Sequence, residues 1–213
     1  MALATATVLS RSLVVALLLS SALLPSCLFV KAPDKKPPIA EHADLSPLPK
    51  IVMGDELVRS SLGDMISLLP AHWVLLDPGT TTSNDVLVVA VNPDYTVSAV
   101  FSAITGTSAL TGAVNADGLL GLARTAYGIH QRKSGGSVKL VDSYAVDTLG
   151  TRLFGTYSFA PPNGLQTRCA VFTSTLGNHY EFALVPLSIS AQNAPSPREM
   201  EQLFTSIMAT IQF

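Results

Sequence analysis

The residues best suited to chemistry in this sequence stand side by side at His179, Tyr180 and Glu181. They fall on a predicted strand, where successive side chains point to opposite faces, so His179 and Glu181 share one face and Tyr180 lies on the other. An imidazole and a carboxylate on one face are suited to acid–base catalysis. A solvated strand surface accounts for the same residues, and we expect that simpler arrangement.

Histidines elsewhere in the chain could act together with this pair or bind a metal. The sequence has four histidines: His42, His72, His130 and His179. They are far apart, and no two have the four-residue spacing that places two metal ligands on one helix face. We therefore expect no metal site and no cofactor, although folding could still bring His130 and His179 to Glu181.

Familiar catalytic motifs are missing from the sequence. It contains no His-Glu-x-x-His, Cys-x-x-Cys or Gly-x-Ser-x-Gly, the signatures of zinc proteases, thiol redox proteins and serine hydrolases. Gly106–Gly112 has the glycine spacing of a phosphate-binding loop but lacks the lysine that reaches the phosphates. No motif in the sequence therefore indicates an enzyme.

Composition excludes two further classes of protein. The 213 residues are 48% hydrophobic and 13% charged, whereas disordered chains are poor in apolar residues and rich in charge. The 13 lysines and arginines are outnumbered by 15 acidic residues, and a chain with this charge balance cannot build the basic face that binds nucleic acid.

Arg124, Arg132 and Lys133 form a small basic group on a predicted helix. The last two suit its C-terminal turn, where positive charge is favoured, so this group needs no ligand.

The first thirty residues indicate where the protein works. Residues 1–26 carry one charged side chain, Arg11, and Ser12–Leu24 is a 13-residue apolar run. That is the length of a signal-peptide core and falls short of the roughly 20 residues that span a bilayer. The Leu24-Pro25-Ser26-Cys27 that follows resembles a bacterial lipobox, with an aliphatic residue three places before the cysteine and a small residue directly before it.

The lipobox resemblance implies that the chain is cut before Cys27, whose thiol then carries diacylglycerol and whose amine is acylated. Leu28, rather than aspartate, follows the cysteine, and in enterobacterial lipoproteins this favours the outer membrane over the inner one. Two alternatives stay open. The leader could be a plain secretory signal, or an uncleaved anchor extending to Val30 that would leave the domain in the cytoplasm.

The sequence divides into a signal peptide over 1–26, a lipidated cysteine and proline-rich tether over 27–49, and one globular domain over 50–213. The tether contains five prolines, which favour extended backbone. Its Glu41, His42 and Asp44 are predicted to be solvated linker residues rather than metal ligands. Because the Cys27 thiol would carry the lipid, Cys169 would be the one free thiol of the mature chain, and we expect it to be buried, with no intramolecular disulfide.

Hydrophobic periodicity in the domain predicts an α+β fold. Asp85–Val91 and Tyr95–Ile104 are predicted strands joined by a short turn. Residues 105–113 are predicted to be a loop, and Asn115 to cap a helix that ends near residue 133. A second helix is predicted to start at Ser196, where a capping box and an initial proline coincide. Four further strands are predicted at 138–146, 151–159, 167–175 and 179–186.

This order of elements is similar to the PsbP-like superfamily, which includes the photosystem subunit PsbP and bacterial DcrB-like lipoproteins. The resemblance covers Gly63–Phe213 and is clearest in Ile66–Trp73 (ISLLPAHW) and Leu203–Ile207 (LFTSI). It implies a single antiparallel sheet domain with two main helices packed on it, an α-β-α sandwich. It also implies that Trp73 and Phe204 are packing residues of the core.

Together these features predict a non-enzymatic, lipid-anchored accessory or binding protein of the bacterial cell envelope. It would face the periplasm, attach to a membrane through Cys27, and present a rigid domain to a protein partner. The alternative is an envelope enzyme, or a carrier of a small ligand or metal, with a site assembled from scattered residues such as His130, His179 and Glu181.

Overall fold

The computed structural model describes residues 47–76, 85–106, 108–162, 164–187 and 195–213. The predicted signal peptide, the lipobox with Cys27 and the tether as far as residue 46 lie outside the described residues. The predictions for Glu41, His42 and Asp44 lie outside them too. The described residues belong to one compact unit that spans 44–213.

Strands dominate the described chain; one helix separates them into two groups and a second helix follows the last strand. Five strands precede the first helix: β1 Met53–Arg59, β2 Ile66–Pro70, β3 Val74–Leu76, β4 Val86–Val91 and β5 Val97–Ala103. Helix α1 is Ser108–Lys133 and helix α2 is Pro197–Thr210. Four strands lie between the helices: β6 Lys139–Leu149, β7 Arg152–Ala160, β8 Thr167–Thr173 and β9 His179–Pro186. The strands predicted in this region are confirmed to within a few residues.

Seven strands form one antiparallel sheet in the order β3-β4-β5-β9-β8-β7-β6. The predicted turn between β4 and β5 is confirmed: the side-chain oxygen of Asn92 accepts hydrogen bonds from the backbone N–H groups of Thr96 and Val97. Strands β1 and β2 make a separate two-stranded sheet, which no sequence pattern predicted. The predicted α+β class, with two helices packed on an antiparallel sheet, is confirmed.

Helix α1 starts earlier than predicted and is bent. It begins at Ser108, so residues 108–113 are helical instead of loop, and Asn115 lies inside the helix instead of capping it. The bend is at Gly118, whose φ of 58° and ψ of −133° leave the helical region, a conformation open to glycine. Tertiary packing explains the early start, because Leu110 is buried in the core on this side of the sheet.

Helix α2 follows the prediction closely. The side chain of Ser196 accepts a hydrogen bond from the backbone N–H of Glu199, and the Glu199 side chain accepts one from the backbone N–H of Ser196, so both halves of the capping box form. At the other end, the guanidinium of Arg152 donates to the carbonyl oxygens of Ala209 and Ile211. These contacts stabilise both ends of the helix.

The sheet has a hydrophobic core on each face. On β8, Ala170 and Phe172 belong to the core that includes Phe204 of α2, whereas Cys169 and Val171 belong to the core that includes Leu122 of α1. Successive side chains of β8 therefore pack alternately into the two cores, as expected of a strand covered on both sides. Within the described residues, neither helix combines the length and the hydrophobicity needed to cross a membrane.

The bend in α1 generates a stability prediction at Gly121. A Cβ on Gly121 would lie 2.0 Å from the carbonyl oxygen of Ala113, because the segment before the bend folds close against the segment after it. We expect Gly121→Ala to lower the free energy of unfolding by about 2 kcal/mol or more, measured by urea denaturation. Gly128→Ala is the matched control, since its Cβ would contact the end of the Arg132 side chain at 3.5 Å. It should be neutral or stabilise by up to about 1 kcal/mol, and equal effects at both positions would contradict the described bend.

Candidate functional site

Three neighbouring strands bring polar side chains together on the face covered by α1. Tyr157 on β7 is paired directly with Cys169 on β8, and Cys169 is paired with Ala183 on β9. Glu181 precedes Ala183 by two residues and therefore points to the same face, diagonally across from Cys169. The backbone register of the sheet thus fixes the relative positions of Tyr157, Cys169 and Glu181.

His130 completes the group from the last turns of α1. Its Nε2 atom lies 3.1 Å from Oε1 and 3.0 Å from Oε2 of Glu181, while its ring packs against Phe159 with the ring centres 4.7 Å apart. The Tyr157 hydroxyl donates a hydrogen bond to Oε1 of the same carboxylate. A nitrogen of His130, the sulfur of Cys169 and an oxygen of Glu181 all lie within 4.8 Å of one another. We call His130, Tyr157, Cys169 and Glu181 the α1-side quartet.

The quartet is buried, with one side chain reaching toward solvent. The side chain of Glu181 is 7% exposed and that of His130 is 28% exposed, while Cys169 is fully buried. A buried carboxylate needs hydrogen-bond donors or a positive charge to offset the loss of water, and the other three members surround it with such groups. His130 is the member through which solvent can reach the quartet.

Burial and mutual contact shift the pKa values of three members. Burial favours the uncharged acid of Glu181, but the hydrogen bonds and positive charge from His130, with further bonds from Tyr157 and Cys169, outweigh it and lower the pKa of Glu181. Burial raises the pKa of the Tyr157 hydroxyl well above its ordinary value, and the Glu181 carboxylate adds to that increase. The pKa of the Cys169 thiol is raised well above its ordinary value for the same two reasons. The quartet therefore holds a carboxylate beside a neutral phenol and a neutral thiol.

The structure corrects the expectation that His179 and Glu181 occupy a solvated strand surface. Glu181 is 5% exposed, because α1 covers this face of the sheet. His179 is partly buried and pairs elsewhere, with its Nδ1 atom 2.9 Å from Oγ1 of Thr173, and burial lowers its pKa. Of the three residues named for the alternative function, His130 and Glu181 come together and His179 does not join them.

A second polar cluster lies on the opposite face, around Asp64 in the loop between β1 and β2. Its carboxylate accepts hydrogen bonds from the hydroxyl groups of Ser60, Ser174 and Tyr180 and from the side-chain amide of Asn178. Partial burial opposes ionisation, yet these donors together lower the pKa of Asp64 strongly. The cluster joins the small sheet to the β8–β9 turn, and it confirms that Tyr180 points away from Glu181.

The remaining sequence-predicted residues take structural positions. Trp73 is 7% exposed and Phe204 is 4% exposed, so both are packing residues as predicted, and Cys169 is buried as expected. Arg124 forms an ion pair with Asp117, while Arg132 and Lys133 lie in the last turn of α1. Sequence reasoning missed Tyr157 as a site residue, although its place on an alternating strand was a usable signal.

Similarity to a solved structure supports the fold. The structure is similar to that of cyanobacterial PsbP (CyanoP) from Synechocystis sp. PCC 6803, at 15% sequence identity and a TM-score of 0.50, covering 74% of this chain and 91% of that one. The Ran-binding protein Mog1p of Saccharomyces cerevisiae is also similar, at 14% identity and a TM-score of 0.44, covering 75% and 95%. No family model matches the chain, and no curated protein matches its sequence. The chain has a PsbP-like fold.

Removing one hydrogen bond to Glu181 should lower the stability of the domain. In Tyr157→Phe the ring remains and the hydroxyl is lost, leaving a buried carboxylate short of one donor. We expect the free energy of unfolding to fall by about 1–3 kcal/mol, measured by urea denaturation at neutral pH. Tyr144→Phe, on the more exposed strand β6, is the control and should change it by about 0.5 kcal/mol or less. A Tyr157→Phe variant as stable as the control would show that this bond contributes nothing.

The lowered pKa values of Asp64 and Glu181 predict loss of stability in acid. Their contribution to the free energy of unfolding is complete above the unfolded carboxyl pKa of about 4, and it is lost as the pH falls below that value. We expect unfolding measured between about pH 5 and pH 3 to show a steep decline, which Asp64→Asn makes shallower. Glu56→Gln, which removes an exposed carboxylate, controls for net charge. A wild-type slope in Asp64→Asn would refute the role given to this cluster.

Proposed function

We propose that this protein is a non-enzymatic, lipid-anchored accessory or binding protein of the bacterial cell envelope. The observation that carries the proposal is Leu24-Pro25-Ser26-Cys27 at the end of the 13-residue apolar run Ser12–Leu24. Several acyl chains on one cysteine hold a protein at a membrane stably. Cys27 would carry the lipid, the tether to residue 49 would extend from it, and the PsbP-like domain would face the periplasm, with the outer membrane as the expected location.

Burial of the quartet supports a binding role over an enzymatic one. A general base must come within hydrogen-bond distance of a substrate proton, but Glu181 is 5% exposed and lies beneath α1. At the sheet edge, Val74, Leu75 and Leu76 of β3 are each more than 40% exposed. Edge strands with apolar side chains are surfaces on which proteins add a further strand, which supports a protein partner.

A second candidate function, carriage of a metal or small ligand, has one observation in its favour. His130, Cys169 and Glu181 are distant in sequence, yet the fold places a ligand atom of each within 4.8 Å of the others. An envelope enzyme that uses His130, His179 and Glu181 together is less well supported, because His179 pairs with Thr173.

The anchor is tested by changing Cys27. Because the thiol is the site of lipid attachment, we expect Cys27→Ala to abolish incorporation of radiolabelled palmitate. We also expect it to leave an unprocessed precursor or release the protein from the membrane fraction. Cys169→Ala is the matched control, since it removes the other cysteine of the chain and should keep both lipid labelling and membrane attachment. Unchanged labelling and processing in Cys27→Ala would overturn the proposal.

A further inference from the structure

The α1-side quartet has the composition of a transition-metal site. It offers an imidazole nitrogen, a sulfur and a carboxylate oxygen from His130, Cys169 and Glu181, and zinc binds all three of these ligand types in proteins. Calcium and magnesium prefer sets made of oxygen alone. The donor set therefore selects a borderline metal ion over the common alkaline-earth ions.

Distances within the quartet suit one ion. Tetrahedral zinc, with bonds of about 2.0–2.3 Å, holds its ligand atoms roughly 3.5 Å apart. In the structure His130 Nε2 and Glu181 Oε2 are 3.0 Å apart, and all three ligand atoms lie within 4.8 Å of one another. Side-chain shifts of about 1 Å would therefore open the hydrogen-bonded pair and admit the ion.

The charges of the three ligands favour a divalent ion such as Zn²⁺. A neutral imidazole, a thiolate and a carboxylate carry two negative charges, which cancel the two positive charges of Zn²⁺. A neutral complex suits a position where Cys169 and Glu181 are almost wholly buried, because an unbalanced charge is costly there. As the zinc bonds form, the Cys169 thiol proton and the His130 Nε2 proton, which points at Glu181 in the metal-free protein, both leave to solvent.

We propose that His130, Cys169 and Glu181 bind one zinc ion, with Tyr157 hydrogen-bonded to the liganding carboxylate. The ion enters beside His130, whose side chain is 28% exposed. Three protein ligands leave the fourth position of zinc to a water molecule. This inference deepens the second candidate function, on which it rests, and it is independent of the lipid anchor at Cys27.

The experiment uses the full chain in detergent with Cys27→Ala, so that Cys169 is the single thiol. The metal-free protein is titrated with Co²⁺, which takes zinc sites and absorbs in the near ultraviolet when a thiolate binds it. We expect this charge-transfer band at one Co²⁺ per chain and its loss when Zn²⁺ is added. Zinc at 100 times its dissociation constant should raise Tm by about 5–10 °C.

Variants identify the ligands. Cys169→Ala should abolish the band, and His130→Gln and Glu181→Gln should each weaken zinc binding by about 100-fold or more, beyond the loss typical of outer-shell changes. His179→Gln is the matched control, since it removes a histidine of β9 outside the quartet and should bind as the parent does. If Cys169→Ala does not unfold cooperatively, Cys169→Ser takes its place, and His130→Gln tests the site from the more exposed side.

Two results would overturn the inference. One is a folded parent chain that gives neither the cobalt band nor stabilisation by zinc, which would make the quartet a hydrogen-bonded cluster only. The other is a band that persists in the folded Cys169 variant, which would place the ion elsewhere. Either result leaves the anchored binding function standing, because lipid attachment at Cys27 is measured separately.

Discussion

The structure depends on one constraint: both faces of the seven-stranded sheet are apolar and both must be covered. β8 shows this most clearly, since its successive residues Cys169, Ala170, Val171 and Phe172 are all buried and alternate between the two cores. One helix cannot cover two faces, so the chain supplies α1 for one and α2 for the other. The two-stranded sheet adds Leu69 to the core beneath α2.

Each face of the covered sheet has a carboxylate that is held by hydrogen bonds, and the donors differ between the two faces. Asp64 lies in a loop and takes four side-chain donors from the strand ends around it. Glu181 lies within a strand and depends on a phenol from the sheet and an imidazole from the covering helix. The hydrogen bonds to Asp64 join the β1–β2 loop to the β8–β9 turn, whereas those to Glu181 join helix α1 to the sheet.

Sequence reasoning recovered the elements whose signals are local. The capping box at Ser196 and the turn at Asn92 depend on neighbouring residues, and both are confirmed. Alternation along β9 correctly placed His179 and Glu181 on one face and Tyr180 on the other, but it could not show which face a helix covers. The burial of Glu181 therefore went unpredicted. So did the first turns of α1, where glycine, threonine and serine disfavour a helix that the buried Leu110 stabilises.

The division of the quartet between two layers has a consequence for assembly of the domain. The three strand residues are set in place by the backbone ladder, whereas His130 arrives only when α1 docks. An intermediate with a finished sheet and an undocked helix would leave Glu181 hydrated, because α1 is the element that covers it; docking removes that water and brings His130 to the carboxylate in the same step. The hydrogen bonds from His130 therefore offset the dehydration of Glu181 only when α1 docks in the position that brings the two side chains together, so the pair favours the native docking of the helix over displaced ones.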